Sequence, residues 1–208
     1  MGTVFFAGDP PRRKRIKLEA DPACVAAHDG QPLLSEEVIV DDDGTLRNVF
    51  VYVKRGLEGR VFDRPAEPVE LDQIGCRYHP HVIGMQVKQM LRIKNSDPTT
   101  HNIHAAPLSN PEFNKGQVER STDLKTTFAR AEVMIPVKCD VHPWMSAYIG
   151  VLDHPFFAVT GDDGTFTFEG LPPGEYEIEA WHETLGTITQ AISLAPQVAV
   201  EIVFTFRP

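Results

Sequence analysis

No apolar run in the 208-residue chain approaches the roughly eighteen residues a membrane-spanning helix requires, so a helical transmembrane segment is excluded. Basic residues are also few: 20 Lys and Arg stand against 29 Asp and Glu, for a net charge of −9. Nucleic-acid binding rests on a basic surface, so nucleic acid is not an expected partner, and a basic or locally complementary protein fits the charge better. The single basic run, Arg12-Arg13-Lys14-Arg15 with Lys17, follows Pro10-Pro11. It reads as a solvated loop or edge, where such charges discourage strand-to-strand association. No Ser stands in a recognisable arrangement with His and Asp. Glu179 and Glu183 would pair on one face only in a helix, and their segment reads as strand and turn, so hydrolytic chemistry is not indicated. What remains is a composition of 42% hydrophobic and 24% charged residues, that of a globular protein with room for one large or two small cores.

Cysteine is scarce too, with Cys24, Cys76 and Cys139 the full set. The third lies in the most informative stretch of the chain, Lys138-Cys139-Asp140-Val141-His142-Pro143-Trp144-Met145. One short loop there supplies a thiol, an imidazole and a thioether. Copper that cycles between two oxidation states takes soft sulfur for the reduced form and imidazole for the oxidised form, typically as two His, one Cys and a weak axial Met. The second imidazole is offered by Thr100-His101-Asn102-Ile103-His104, just after the alternating run Leu91-Arg92-Ile93-Lys94. Zinc accepts the same donor types. A zinc site built from Cys139, His142, His101 and His104 is disfavoured by strand parity, because residues three apart point to opposite faces. Cys24 and Cys76 are left as a pair. They suit either a disulfide closing a loop of about fifty residues, at about 3 to 4 kcal/mol in the chain-entropy picture, or a second metal site with His79, His81 and His28.

A strand ending in His-Asn-x-His and a later one ending in Cys-x2-His-Pro-x-Met resembles the cupredoxins, with the loop spacing of the amicyanins. The resemblance covers Leu71 to Asp153 and takes in Asp97, His101-Asn102 and Val137 to Met145; where cupredoxins commonly have Gly in the turn before the first His, this chain has Val87-Lys88-Gln89. It implies a Greek-key β-sandwich holding one type 1 copper ion on His101, Cys139, His142 and Met145, with Asn102 bracing the copper loop. It also implies a non-enzymatic carrier of single electrons outside the cytoplasm, exchanging them with a c-type cytochrome or a membrane redox complex. His142 is expected to emerge in an apolar docking patch with Pro143 and Trp144. The chain opens on Met1-Gly2-Thr3-Val4 and a strand-like segment, so the expectation of export carries with it a targeting segment already removed. Multicopper oxidases have several His-x-His pairs, whereas here there is only His79-Pro80-His81, and Pro143 stands where a dinuclear centre needs a second Cys. A periplasmic copper-binding or delivery protein and a purely structural β module are the alternatives.

The rest of the chain reads as further β structure. Asp41-Asp42-Asp43-Gly44 is a hairpin signal and Val49-Phe50-Val51-Tyr52-Val53 a buried strand. Residues 106–122 read as loop. Near the end, Asp162-Asp163-Gly164-Thr165-Phe166-Thr167-Phe168 followed by Leu171-Pro172-Pro173-Gly174-Glu175-Tyr176 resembles the carboxypeptidase regulatory-like domain, a transthyretin-like β-sandwich without catalytic machinery. Gly2-Thr3-Val4, Pro10-Pro11 and Val49 to Val53 match the opening of that family. The expected organisation is therefore all-β, with a cupredoxin part at 65–153 inserted in or adjoining a transthyretin-like sandwich whose halves are 1–59 and 154–208. Exposed loop tips tolerate such insertions.

Overall fold

The computed structural model describes residues 1–119 and 121–208. Among these, the chain is all-β apart from one short helix. In chain order the elements begin with β1 (Gly2–Phe6), α1 (Pro22–Ala26), β2 (Phe50–Arg55), β3 (Val69–Gln73), β4 (Tyr78–His79) and β5 (Val82–Gln86). They continue with β6 (Leu91–Asn95), β7 (His101–Ala105), β8 (Phe113–Gln117), β9 (Leu124–Thr126), β10 (Glu132–Lys138) and β11 (Ser146–Leu152). The last are β12 (Phe157–Val159), β13 (Thr165–Phe166), β14 (Gly174–His182), β15 (Gly186–Leu194) and β16 (Ile202–Phe206). No helix among the described residues is long and apolar enough to cross a membrane.

Two compact units divide the chain. One is discontinuous, comprising Met1–Arg13, Glu36–Phe62 and Phe156–Pro208. Its sheets have the strand orders β13-β1-β16 and β12-β2-β14-β15, so both N-terminal strands pair with C-terminal ones. Period-2 alternation turns Val4, Phe6, Phe204 and Phe206 into a buried core with Val51, Val53, Ile178 and Ala180. Two Asp-Gly-Thr turns flank β1. In each, the Asp side chain (Asp43, Asp163) accepts from the backbone N–H and the hydroxyl of the Thr two residues on. A side chain at Gly164, whose φ is +63°, would meet Thr45 at 2.6 Å and the Val4 carbonyl at 2.9 Å, which is why this turn takes Gly.

The other unit comprises Lys14–Ser35 and Asp63–Pro155. A five-stranded sheet, β5-β11-β10-β7-β8, and a four-stranded one, β4-β3-β6-β9, supply the facing side chains of its core, including Leu71, Ile93, Ile103, Ile135, Ile149 and Val151. β5 with β11 and β3 with β6 run parallel; the remaining pairs are antiparallel. Segment 14–35 was expected with the N-terminal half of the first sandwich, and here the structure corrects the sequence reading. Leu18, Cys24 and Leu33 are buried in the second core, and Cys24 is bonded to Cys76 in a disulfide with Cα atoms 5.6 Å apart. The segment is a strap folded on itself through Ile16 N–H to Leu33 O and Ser35 N–H to Lys14 O. A second correction is β8, which lies in a stretch read as loop; Phe113-Asn114-Lys115-Gly116-Gln117 has no apolar alternation and is a sheet edge held by its five-residue register with β7. At the turn after β5, Lys88 itself adopts φ +62°, so the left-handed backbone usually given to Gly is present without one.

Candidate metal centre

Strand ends bring the site together. His101 is the first residue of β7, and residues 139–145 form the loop from β10 to β11, whose paired strands fix its two ends through the Lys138–Ser146 and Val137–Ala147 register. The loop closes on itself through Cys139 N–H to Met145 O, 3.2 Å, and Met145 N–H to His142 O, 2.9 Å. Tyr78, buried in the core, ties β7 to β10 by donating its hydroxyl to the carbonyls of Asn102 and Lys138. His101, Cys139, His142 and Met145 are all buried, at 0, 2, 3 and 1% exposure.

The ring nitrogens Nδ1 of His101 and His142 lie 2.9 Å apart, and the donor atoms of His101, Cys139 and His142 fall within 4.8 Å of one another. Each imidazole is held from behind by a carboxylate. His101 Nε2 is 2.8 Å from Asp97 Oδ2 and His142 Nε2 is 2.8 Å from Asp21 Oδ2. Asp97 is itself fixed by the backbone N–H groups of Gly75 and Cys76 at 2.7 Å each. With Nε2–H donated to a carboxylate on both rings, two Nδ1 lone pairs face one another, an arrangement that calls for a proton or a metal cation between them. The donor set, two imidazoles and a thiol with a buried thioether at the loop end, fits copper.

Charge is arranged to favour the thiolate. Burial opposes it, but hydrogen bonds from His101 and from the Asn102, His142 and Val141 side hold the Cys139 thiol below its ordinary value. Burial likewise opposes protonation of His101, yet Asp97 and Cys139 together push its value up to about 9. Asn102 Oδ1 gathers the start of the loop, accepting from Asp140 N–H at 2.7 Å, from Val141 N–H at 3.3 Å, and from the Cys139 thiol at 3.2 Å. Its amide nitrogen donates to Asn114 and Asp140.

His104, three residues along β7 and of opposite parity, turns instead to Glu112 at 2.6 Å and Asp140 at 3.3 Å. Two other clusters, Asp21 with Cys24 and His142, and Cys76 with Asp97 and His101, use sulfurs already joined to each other, so neither offers a thiolate. His142 departs from expectation. It does not emerge at the surface: Asp21 and Cys24 of the strap lie against its Nε2, at 2.8 and 3.7 Å, and Trp144 packs on its ring with centroids 5.1 Å apart. Trp144 is half-buried, its indole N–H donated to Cys76 O. Of the expected docking trio only Pro143 is exposed, beside Val141 at 52%.

No family model matches the chain, and no curated protein does either. Among solved structures, similar ones include a copper-containing nitrite reductase from Thermus scotoductus SA-01, at 17% identity over 49% of this chain and 25% of that one, with TM-score 0.39. An amicyanin variant in its oxidised state matches at 20% identity over 40% of this chain and 81% of its own, TM-score 0.37. A purple cupredoxin from Nitrosopumilus maritimus matches at 17% over 40% and 98%, TM-score 0.35. This chain thus spans a quarter of the length of the nitrite reductase.

Sequence reasoning missed Asp21 and gave Asp97 no role of its own. Asp21-Pro22 is a readable helix start, with the Asp side chain accepting from Ala23 and Cys24 N–H and Pro in the first turn. Nothing in that signal tells where the second carboxylate oxygen points.

Proposed function

We propose that the protein is a type 1 copper protein that carries single electrons outside the cytoplasm. The observation that carries this reading is the meeting of two buried imidazoles, their Nδ1 atoms 2.9 Å apart, with a buried, thiolate-favouring Cys139 whose sulfur lies within 4.8 Å of a ring nitrogen of each. His101, His142 and Cys139 would hold the ion, with the Met145 thioether as a further, weaker donor. Copper bound there supplies a one-electron couple. The protein's part is to hold the donors still: Asp97 orients His101, Asn102 fixes the loop that carries Cys139 and His142, and the apolar core around them excludes water. Fixed ligands keep the reorganisation small when an electron arrives or leaves. The Cys24–Cys76 disulfide fits an oxidising compartment, and the partner class is a c-type cytochrome or a membrane redox complex with a surface complementary to net charge −9. The discontinuous unit is assigned to the carboxypeptidase regulatory-like sandwich on its Asp-Gly and Pro-Pro-Gly turns, as a presentation module without chemistry of its own.

The burial of His142 favours a second reading, a copper-binding or delivery protein, because the ligand expected to meet a partner is covered. Two measurements on the Cu(II)-loaded protein separate the cases. An intense thiolate-to-copper band with reversible one-electron voltammetry is expected for the carrier; the band without reversible cycling supports delivery, and a colourless Cu(II) complex overturns the type 1 site.

A further inference from the structure

We infer that Asp21, delivered by the strap Lys14–Ser35, is a positioning residue for His142 and through it sets the copper affinity and potential; this rests on the metal reading above. Four observations converge on it. Asp21 uses its two oxygens for separate tasks: Oδ1 caps α1 by accepting from Ala23 N–H at 2.8 Å and Cys24 N–H at 3.4 Å, while Oδ2 faces His142 Nε2 at 2.8 Å. Oδ2 is held in place from the other side by the Thr99 hydroxyl at 3.1 Å. The cap in turn is anchored, since Cys24 in α1 is bonded to Cys76 and His28 Nε2 lies 2.8 Å from Gly75 O. Finally, His142 is 3% exposed, so no water competes freely for its Nε2–H.

The arrangement repeats on His142 what Asp97 does for His101. A carboxylate on the far ring nitrogen fixes the tautomer, aims Nδ1 into the centre and makes the ring a more electron-rich donor. A richer donor and a nearby negative charge stabilise the more positive oxidised ion over the reduced one. The strap is therefore part of the metal centre, although it is distant in sequence from every ligand.

Asp21→Asn tests this cleanly, because the Asn oxygen keeps the cap while its amide NH2, a donor, replaces the acceptor that His142 needs. In the protein freed of metal by a chelator, long-range proton–nitrogen NMR is expected to show His142 in the Nε2–H tautomer, and to show that preference lost in Asp21→Asn with the melting temperature unchanged. In the copper-loaded protein, Asp21→Asn is expected to bind Cu(II) about 10- to 100-fold more weakly, with a raised potential and a shifted visible band. Asp21→Glu, which keeps the charge, is expected to recover part of the affinity. An Nδ1–H tautomer in the wild type, or a tautomer, affinity and potential unmoved by Asp21→Asn, would overturn the inference and leave Asp21 a helix cap. A colourless wild-type Cu(II) complex would instead sink the metal reading, and the metal-free tautomer would still decide Asp21.

Discussion

Cys139 and Asn102 show how single side chains hold the centre. The thiol is 2% exposed and sits in the core, between strands fastened by their own ladder, so the metal is not what holds the fold. Cys139→Ser is expected to abolish the thiolate band while the chain melts within about 1 to 2 kcal/mol of wild type, the ordinary range for one buried substitution; absorbance and thermal unfolding measure both. Asn102→Ala strands the Asp140 and Val141 N–H groups that its oxygen serves. Leaving such groups unpaired costs about 1 to 3 kcal/mol, and the loosened loop is expected to release copper faster, read as a higher off-rate to a chelator. The two histidines of β7 separate in the same assay. His101→Ala is expected to open the site and His104→Ala to leave it coloured, because His104 faces Glu112 and Asp140; the opposite result would exchange their roles.

The strap and the 139–145 loop are elements of opposite kinds. The loop is shaped by strands at both ends and by Asn102. The strap has one five-residue helix and one isolated bridge, too little backbone pairing to stand alone, so Cys24–Cys76 and the burial of Leu18 and Leu33 keep it in place. Cysteines separated by 52 positions give a chain-entropy stabilisation of about 4 kcal/mol. The double variant Cys24→Ser, Cys76→Ser is expected to lose about that much in denaturant unfolding and to expose His142 to chelators. A variant as stable as wild type would mean the strap is held by packing alone.

Over the whole molecule, each unit carries its own buried polar device. In the discontinuous unit Glu179 lies on β14, buried, accepting from Tyr52 at 2.6 Å, from Lys54 at 2.5 Å and from Thr189 at 3.0 Å. Burial opposes its charge, but these three partners hold the carboxyl below the ordinary glutamate value of 4.5. A depressed carboxyl contributes stability above its unfolded value and loses it as pH falls through the folded one. Acidification from about pH 5 towards pH 3 is therefore expected to destabilise wild type more than Glu179→Gln, while at neutral pH the variant is weaker by about 1 to 2 kcal/mol. Parallel acid limbs in urea titrations of the two would count against this account. The same Glu179, read in sequence as an unpaired strand carboxylate, is structural because its neighbours on β2 and β15 reach it.

The sequence by itself determined the β class, the buried strand at Val49 to Val53, the Asp-Gly turns and the close grouping of thiol, imidazole and thioether in the 139–145 loop. These are local: alternation, turn chemistry and spacing act over a few residues and need no distant partner to be read. Tertiary structure decided what depends on separated segments meeting. It assigned 14–35 to the second core through Leu18, Leu33 and the disulfide, made a strand of 113–117 because β7 offered an edge, and set Asp21 behind His142 across 121 positions. The burial of His142 belongs to that second group, since a side chain's exposure is fixed by whatever chain lies over it, and here that chain is a strap whose sequence carries no mark of the imidazole it covers.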